Sequence, residues 1–470
     1  MKTSLQKNFF YKGLLTLATP LMGMITFPYI SRILGVEAMG LLGFVDNTIS
    51  YFLLFAMMGI GTLGVRAIAA VKDSQDQLNK TFSNILGLNF LFTAVTIGIF
   101  ILLVTVIPKF NVNKELFYIG ASRILFSSLL IEWFFNGLED FKYITIRSLW
   151  VKFIYVISVF VFIRNTGDYK LYFIITTLTV VINAIINLIY SRRFVRIIPK
   201  ELISGRFLKE NITLGIYGLM TSMYLTFNVM YLGLASNSIQ VGYYTSAFKL
   251  YHIILSIFSA YTSVMLPRMS ALQAKDDQAK FRNYVYQSTA FVALFSIPLI
   301  VCSSIMSPEI IYILCGNGYE GAITPMRIIM PAVLFVAIAQ VIAVQVLMPL
   351  KKDKVLLCAS ISGAIISLMI NIIFVPRLQS IGSAIVLILS EFFVTLIYVI
   401  YIETKGIIKL NYNIFIWPVL KTLPCVAVCL SCQKMVSSPY LSLTLAIIIS
   451  VVLYALLNIY EIKRLIYKNN

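Results

Sequence analysis

Along this chain apolar residues gather into long runs, each closed by a short stretch of charged or turn-forming residues. The runs lack the strict alternation of a half-buried strand, and about 20 apolar residues is the length a helix needs to cross a hydrocarbon core about 30 Å thick. Helix is the element expected, because lipid cannot satisfy the backbone groups of an open sheet edge. Fourteen spans are predicted, over 10–31, 40–64, 82–107, 115–137, 144–163, 170–190, 211–234, 242–266, 284–306, 323–349, 355–376, 380–402, 413–433 and 440–460. The pairs 355–376 with 380–402 and 413–433 with 440–460 are the least cleanly separated.

Composition supports the membrane class. Of the 470 residues 59% are hydrophobic and 12% charged, with mean hydropathy +0.89, whereas soluble domains carry about 25% charged residues. The first apolar stretch begins near Phe9 and runs past Pro28, too long for the core of a cleavable signal, so it reads as a retained first span. The loops are short, the longest inside one running from Ser191 to Glu210. No GxxxxGK[ST] pattern is present, which argues against an ATPase within the chain.

The net charge of +19 would suggest nucleic acid in a soluble protein. Here it has a topological reading. With the N-terminus inside and the loops alternating, 27 of the 38 Lys and Arg fall in inside segments and 7 in outside loops. That asymmetry predicts cytoplasmic termini and a multi-pass protein of the cytoplasmic (inner) membrane, with no nucleic-acid partner. In this scheme Arg147 belongs to a basic inside segment.

A repeat is visible at an offset near 202: Gly40 matches Gly242, Arg66 matches Arg268, Lys80 matches Arg282, and Arg123 falls two residues from Arg327. Parallel repeats of six helices place a transport site between the halves. The expected fold is therefore an all-α integral membrane protein of about fourteen transmembrane helices, with two pseudo-symmetric six-helix bundles and two C-terminal helices. The expected division is an N-terminal lobe over 1–205, a C-terminal lobe over 206–402, and two additional helices with a cytoplasmic tail over 403–470.

Charged residues inside the membrane cost about 2.5–3.5 kcal/mol each on insertion scales and need partners or water. Lys249 shares one helix face with Thr245, His252, Ser256 and Ser263. Shifted by 202, the second span reads Gly43, Asn47, Ser50, Leu54 and Gly61, a matching small and polar line. Two such stripes would line a central cavity, although Lys249 alone could snorkel outward. Arg123 and Arg327 would join Lys249 in a cationic chamber suited to phosphate, since guanidinium binds it bidentately. Glu391 lies near mid-membrane with Thr395 one turn on. It, Asp46 and Glu132 are the candidates to bind a coupling ion or to neutralise a basic partner. Cys425, Cys429 and Cys432 share one face, but with a single histidine in an apolar chain they read as small buried residues rather than a metal site. No metal or cofactor is expected.

Two stretches carry a family resemblance. PYISRILGVEAMGLLG at 28–43 resembles the first loop of the polysaccharide repeat-unit (Wzx-type) flippases, and EWFFNGLEDFKY at 132–143 is similar to the segment after their fourth helix. These flippases belong to the multidrug/oligosaccharidyl-lipid/polysaccharide exporter superfamily, to which the multidrug (MATE-type) exporters also belong. The resemblance covers essentially the whole chain. It implies a non-enzymatic carrier of an undecaprenyl-diphosphate-linked oligosaccharide for O-antigen, capsule or exopolysaccharide. Alternating access would be driven by a proton or sodium gradient or by the membrane potential, beside a polysaccharide polymerase and a chain-length regulator. Lipid II flippases of that superfamily carry more arginines in their first two helices. This chain has only Arg32 and Arg66 there, which argues against lipid II. A multidrug exporter predicts an acidic rather than basic cavity. A membrane glycosyltransferase or polymerase predicts a long outside loop, and a non-transporting scaffold gives no reason for the intramembrane charges.

Overall fold

The computed structural model describes residues 5–461. Lys2 and the basic tail with Lys463, Arg464 and Lys468 lie outside the described residues. Among the described residues the chain is helical, without strands. The first elements are α1 (Leu5–Met57), α2 (Ile60–Val71), α3 (Gln75–Val106), α4 (Pro108–Val112), α5 (Lys114–Ser127), α6 (Glu132–Gly137), α7 (Phe141–Phe162), α8 (Tyr169–Ser191) and α9 (Leu208–Ala235). They continue as α10 (Ser238–Ala274), α11 (Gln278–Ile305), α12 (Ser307–Cys315), α13 (Ile323–Ile329), α14 (Ala332–Gln340), α15 (Asp353–Thr404), α16 (Asn413–Met435) and α17 (Pro439–Leu457).

Each predicted span falls on helix. Large apolar side chains remain exposed on these helices, among them Trp150 at 62%, Ile372 at 64% and Val451 at 62%. Such surface is a liability in water and is matched by lipid tails. Among the described residues ten helical segments are long and apolar enough to cross a membrane. An eleventh is a pair bent by 40°, Glu320–Ile329 with Ala332–Leu347. Two of the ten contain a break and are each too long for one crossing: Met22–Val71 breaks at Gly35, and Asp353–Thr404 at Gln379. The protein is a multi-pass membrane protein.

The chain packs as two compact units, Met1–Met230 and Tyr231–Asn470. In the first unit the expected loop over 32–39 is absent. Helix runs through it and turns at the single residue Gly35, whose φ of 75° and ψ of 171° avoid the Cβ clash other residues would meet. A second break separates α1 from α2 at Met58 and Gly59, with Gly59 at φ +43°. A side chain at 59 would strike the backbone oxygen of Asn211, its Oδ1 at 2.9 Å and the Gly215 nitrogen at 2.9 Å. The start of α9 therefore lies backbone-to-backbone on this break, and the unit extends into α9. Gly59→Ala should destabilise the protein by about 1–3 kcal/mol through overpacking and left-handed strain. Thermal unfolding in detergent would show a lowered midpoint, while Gly61→Ala, with open space around its Cβ, should be tolerated.

The connection after α8 is strapped onto α3. Gln75 Nε2 donates to Phe194 O at 2.7 Å, Arg196 N to Asn79 Oδ1 at 2.9 Å, and Ile198 N to Ser83 Oγ at 2.8 Å. Gly87 admits the Leu202 backbone against α3, where a side chain would collide with it.

In the second unit α15 is a helical hairpin. Gly363 sits against Val394, and Gly382 against the Phe374 and Val375 backbone, so the two halves run antiparallel about the turn at Gln379. The bend between α13 and α14 falls at Pro331, which lacks the amide donor that would continue the ladder. A π-helical turn, Val341–Leu347, then extends α14. The last two helices join this unit: α16 packs on α11 and α17. Cys425, Cys429 and Cys432 are buried on one face of α16, with Cys302 of α11 packed against them. Outside the spans, Asp277 caps α11 by accepting the Lys280 amide, and the Lys280 ammonium holds its carboxyl below the usual range.

Candidate functional site

In the first unit the second half of α1 carries Asp46 about 11 residues beyond the Gly35 turn, roughly 16 Å along the helix. Asp46 forms an ion pair with the Arg123 guanidinium of α5. Arg123 is therefore a compensated charge, not a lone cation. Its Nε is buried without a partner among the described residues, so the guanidinium keeps a donor in reserve. Tyr155 of α7 and Tyr172 of α8 share a hydroxyl contact of 3.2 Å, and Tyr155 also hydrogen-bonds Thr26. This cluster brings together α1, α5, α7 and α8. The tyrosines were not singled out from the sequence, because nothing in a linear apolar pattern sets them apart from the other 25.

The polar line predicted for the second span is divided by the break at Met58 and Gly59, which leaves Gly61 on α2. Asn47 and Ser50 are half-buried and Gly61 is exposed. Asn47 Nδ2 donates to Gly43 O at 2.8 Å. Arg32 and Arg66 are exposed.

A second network lies toward the other end of the first unit. Arg147, expected in a basic segment at the surface, is instead 6% exposed within α7. It pairs with Glu132 at 2.6 Å, donates to Asn187 of α8 and to Ser148 Oγ at 2.9 Å, and lies 5.8 Å from the Tyr143 ring centre. Asn187 in turn donates to Leu130 O, in the break between α5 and α6, and accepts from the Tyr143 hydroxyl at 3.0 Å. Glu132 thus neutralises a buried guanidinium. The rest of 132–143 is a packing device. Trp133 fills the space left by Gly64, Phe134 and Phe135 are fully buried, Gly137 lies under Ile68, and Asp140 caps α7. The signal available was Arg147 six residues into an apolar helix, a depth that requires a partner.

In the second unit α10 is two-faced. Tyr244, Ala247, Tyr251, Ile254 and Phe258 are buried, while Thr245, Lys249 and Ser256 are half-buried and His252 and Ser263 exposed. The predicted stripe is the open face of α10. His252 meets the Phe248 ring edge-on at 4.5 Å. Arg327 lies on α13, which packs on α10. Its Nε donates to Ser307 Oγ at 2.8 Å and Ser304 O at 3.2 Å, tying α13 to the α11–α12 junction. Glu391 is 3% exposed in the second half of α15, where Thr395 Oγ1 donates to its backbone oxygen and to Phe335 O. Gln345, on the π-helical turn, is fully buried with neither side-chain polar atom partnered among the described residues. Sequence reasoning passed over it because glutamine carries no charge to flag. No group of three or more His, Cys, Asp or Glu able to hold a metal occurs among the described residues.

The chain resembles known proteins along most of its length. A protein of Escherichia coli (strain K12) named "Putative O-antigen transporter" is 22% identical over 414 residues, which cover 87% of this chain and 99% of that one. Among solved structures, the lipid II flippase MurJ in an inward closed conformation matches with TM-score 0.79 at 15% identity, covering 98% of this chain and 99% of that one. An inward-facing multidrug resistance transporter of the MATE family and MOP superfamily matches with TM-score 0.63 at 14% identity, covering 90% and 99%. These structural likenesses establish a fold shared with MurJ and the MATE transporters. Residues 5–273 match the family described as polysaccharide biosynthesis protein, and the chain belongs to that family.

Proposed function

We propose that this protein is a flippase. It carries an oligosaccharide repeat unit linked to undecaprenyl diphosphate from the cytoplasmic to the outer leaflet of a bacterial cytoplasmic membrane, by alternating access, for O-antigen, capsule or exopolysaccharide synthesis. Family membership and the relative named as an O-antigen transporter support the substrate class. The observation that carries the mechanism is the polar stripe of α10, with Lys249 half-buried and His252 exposed on the side opposite the buried Tyr244, Ala247, Tyr251 and Phe258. In lipid such a face is unfavourable. Against a diphosphate and its sugar it supplies counter-charge and hydrogen bonds. Arg123, with a donor left over from its pairing to Asp46, is the phosphate contact that the first unit offers. Asn47, Arg32 and Arg66 contribute the remaining polar contacts, while Arg327 holds α13 in place. A proton or sodium ion bound at Glu391, or the membrane potential at about 2.3 kcal/mol per charge per 100 mV, drives the cycle. Both termini are cytoplasmic, and the polysaccharide polymerase and chain-length regulator act on the delivered unit.

In cells deleted for this gene, surface glycan should be lost and the lipid-linked repeat unit should accumulate. The wild-type chain should restore export. Lys249→Ala should insert normally yet restore less than a tenth of it, on the order of the 1.5–3 kcal/mol of a charge-assisted hydrogen bond. Full export by Lys249→Ala at native expression would remove the α10 face from substrate binding. No accumulation in the deleted strain would defeat the flippase reading itself.

A further inference from the structure

On the second unit, the end of α15, the connection after it and the start of α16 close over the first turns of α11. They leave a cleft of about 450 Å³ that includes Arg282, Asn283, Tyr286, Lys409 and Asn411 among its lining residues. It continues into a second hollow of about 300 Å³ that shares Asn283, Tyr286 and Asn411 and adds Trp417. We infer that this cleft is a binding site for the headgroup of an anionic phospholipid, with the phosphate against Arg282 and Lys409 and the acyl chains along α16.

The charge pattern points there. No acidic residue lines the first hollow. Neither Arg282 nor Lys409 makes an ion pair among the described residues. The nearby acids are occupied. Glu403 accepts from the Leu410 amide and the Tyr412 hydroxyl at 2.8 Å, and Glu461 in the second hollow is paired with Lys421 at 2.6 Å. Two basic side chains thus line one hollow, exposed and unmatched by a carboxylate, which favours an anion from outside. Asn411 Oδ1 accepts from the Asn413 amide, which leaves its side-chain NH₂ for a phosphate oxygen.

The surroundings select a lipid over a free anion. Trp417 is 64% exposed and Tyr286 43%, beside the exposed Ile416 and Leu420 on the same start of α16. Aromatic rings with a polar edge belong at the level of lipid headgroups. The cleft also lies at the basic end of this unit, with Lys405 and Lys280 nearby in sequence, and anionic lipids concentrate at the cytoplasmic leaflet that such ends face. The inference rests on the membrane orientation and is independent of the cargo.

Trp417 reports directly. Trp133 is buried and Trp150 exposed, so Trp150→Phe leaves Trp417 as the one exposed indole. This variant, reconstituted in phosphatidylcholine vesicles, is titrated with brominated phosphatidylglycerol or brominated phosphatidylcholine as the minor lipid. Quenching by phosphatidylglycerol is expected at roughly tenfold lower mole fraction, as two basic groups near the surface imply. Arg282→Gln with Lys409→Gln should abolish that preference, and Arg282→Lys with Lys409→Arg should retain it. Equal quenching by the two lipids in the Trp150→Phe protein overturns the site. So does relief of quenching by millimolar inorganic phosphate, which would make it a site for any anion. Relief by undecaprenyl phosphate at a lower mole fraction than phosphatidylglycerol would assign the cleft to the carrier lipid and likewise overturn the inference.

Discussion

Arg147→Ala is expected to leave little folded protein in the membrane. The Arg147 side chain is 3% exposed and supports Glu132, Asn187 and Ser148 at once. Removing it strands the buried acceptor oxygen of Asn187 and leaves Glu132, whose side chain is 48% exposed, without its partner. Each stranded buried acceptor costs about 1–3 kcal/mol and the cavity left by the side chain adds to it, together a large share of a typical stability of about 5–15 kcal/mol. Fluorescence-detected size exclusion after a heat ramp would show a strongly lowered midpoint or aggregated material. Arg147→Lys keeps the charge but cannot reach several acceptors with a planar fork, so an intermediate loss is expected. Removing Glu132 as well, as Glu132→Gln with Arg147→Met, should recover part of the lost stability, because no uncompensated charge then remains. A wild-type midpoint for Arg147→Ala would show that the network contributes nothing to the fold.

Arg123→Ala should abolish glycan export while the protein still inserts, and the partner residue shows why. Asp46 is 48% exposed at its side chain and Arg123 14%, so the arginine is the more deeply held member. If the pair served packing alone, Asp46→Asn with Arg123→Gln would restore both stability and export by removing both charges. The proposed phosphate contact predicts a split result: the double variant unfolds like wild type yet exports at less than a tenth of its rate, and Asp46→Asn alone stays active. That loss corresponds to the roughly 1.4 kcal/mol per tenfold expected of one lost charge-assisted contact. Wild-type export by the double variant would return the pair to a purely structural role.

The partner of Arg123 shows what a linear reading leaves out. Arg123 and Asp46 are 77 residues apart, and no spacing rule connects them. Periodicity places residues on faces of one helix, and the pairing of faces on different helices is decided by packing. The same holds for Arg147. Positive-inside counting takes every basic residue near a span end as a topological marker, and here it swept in a guanidinium that the fold buries. The stripe on α10 was legible because all its members lie on one helix at offsets a 3.6-residue period aligns. The bonds of Arg327 to Ser304 and Ser307 were not, since those residues belong to other elements.

The motif at 132–143 shows the two kinds of information side by side. Its residues identified the family by resemblance, yet their physical work is the packing of one end of the first unit: Trp133 against Gly64, Gly137 against Ile68, Glu132 on Arg147. The motif at 28–43 was expected to hold a loop. Gly35 alone makes the turn, because a residue free to adopt φ of 75° removes the need for a longer connection.

Helix content and a succession of apolar spans follow from the chain itself, because lipid demands internally satisfied backbone, and the charge asymmetry from which sidedness is expected is likewise a property of the chain. The offset near 202 that suggests a repeat is also written in the chain. Which charges are neutralised, which helices break at one residue, and which polar faces remain open were decided only in three dimensions. Each depends on contacts between residues far apart in sequence, and in a low-dielectric interior those contacts determine whether a charge is held by the fold or left for a ligand.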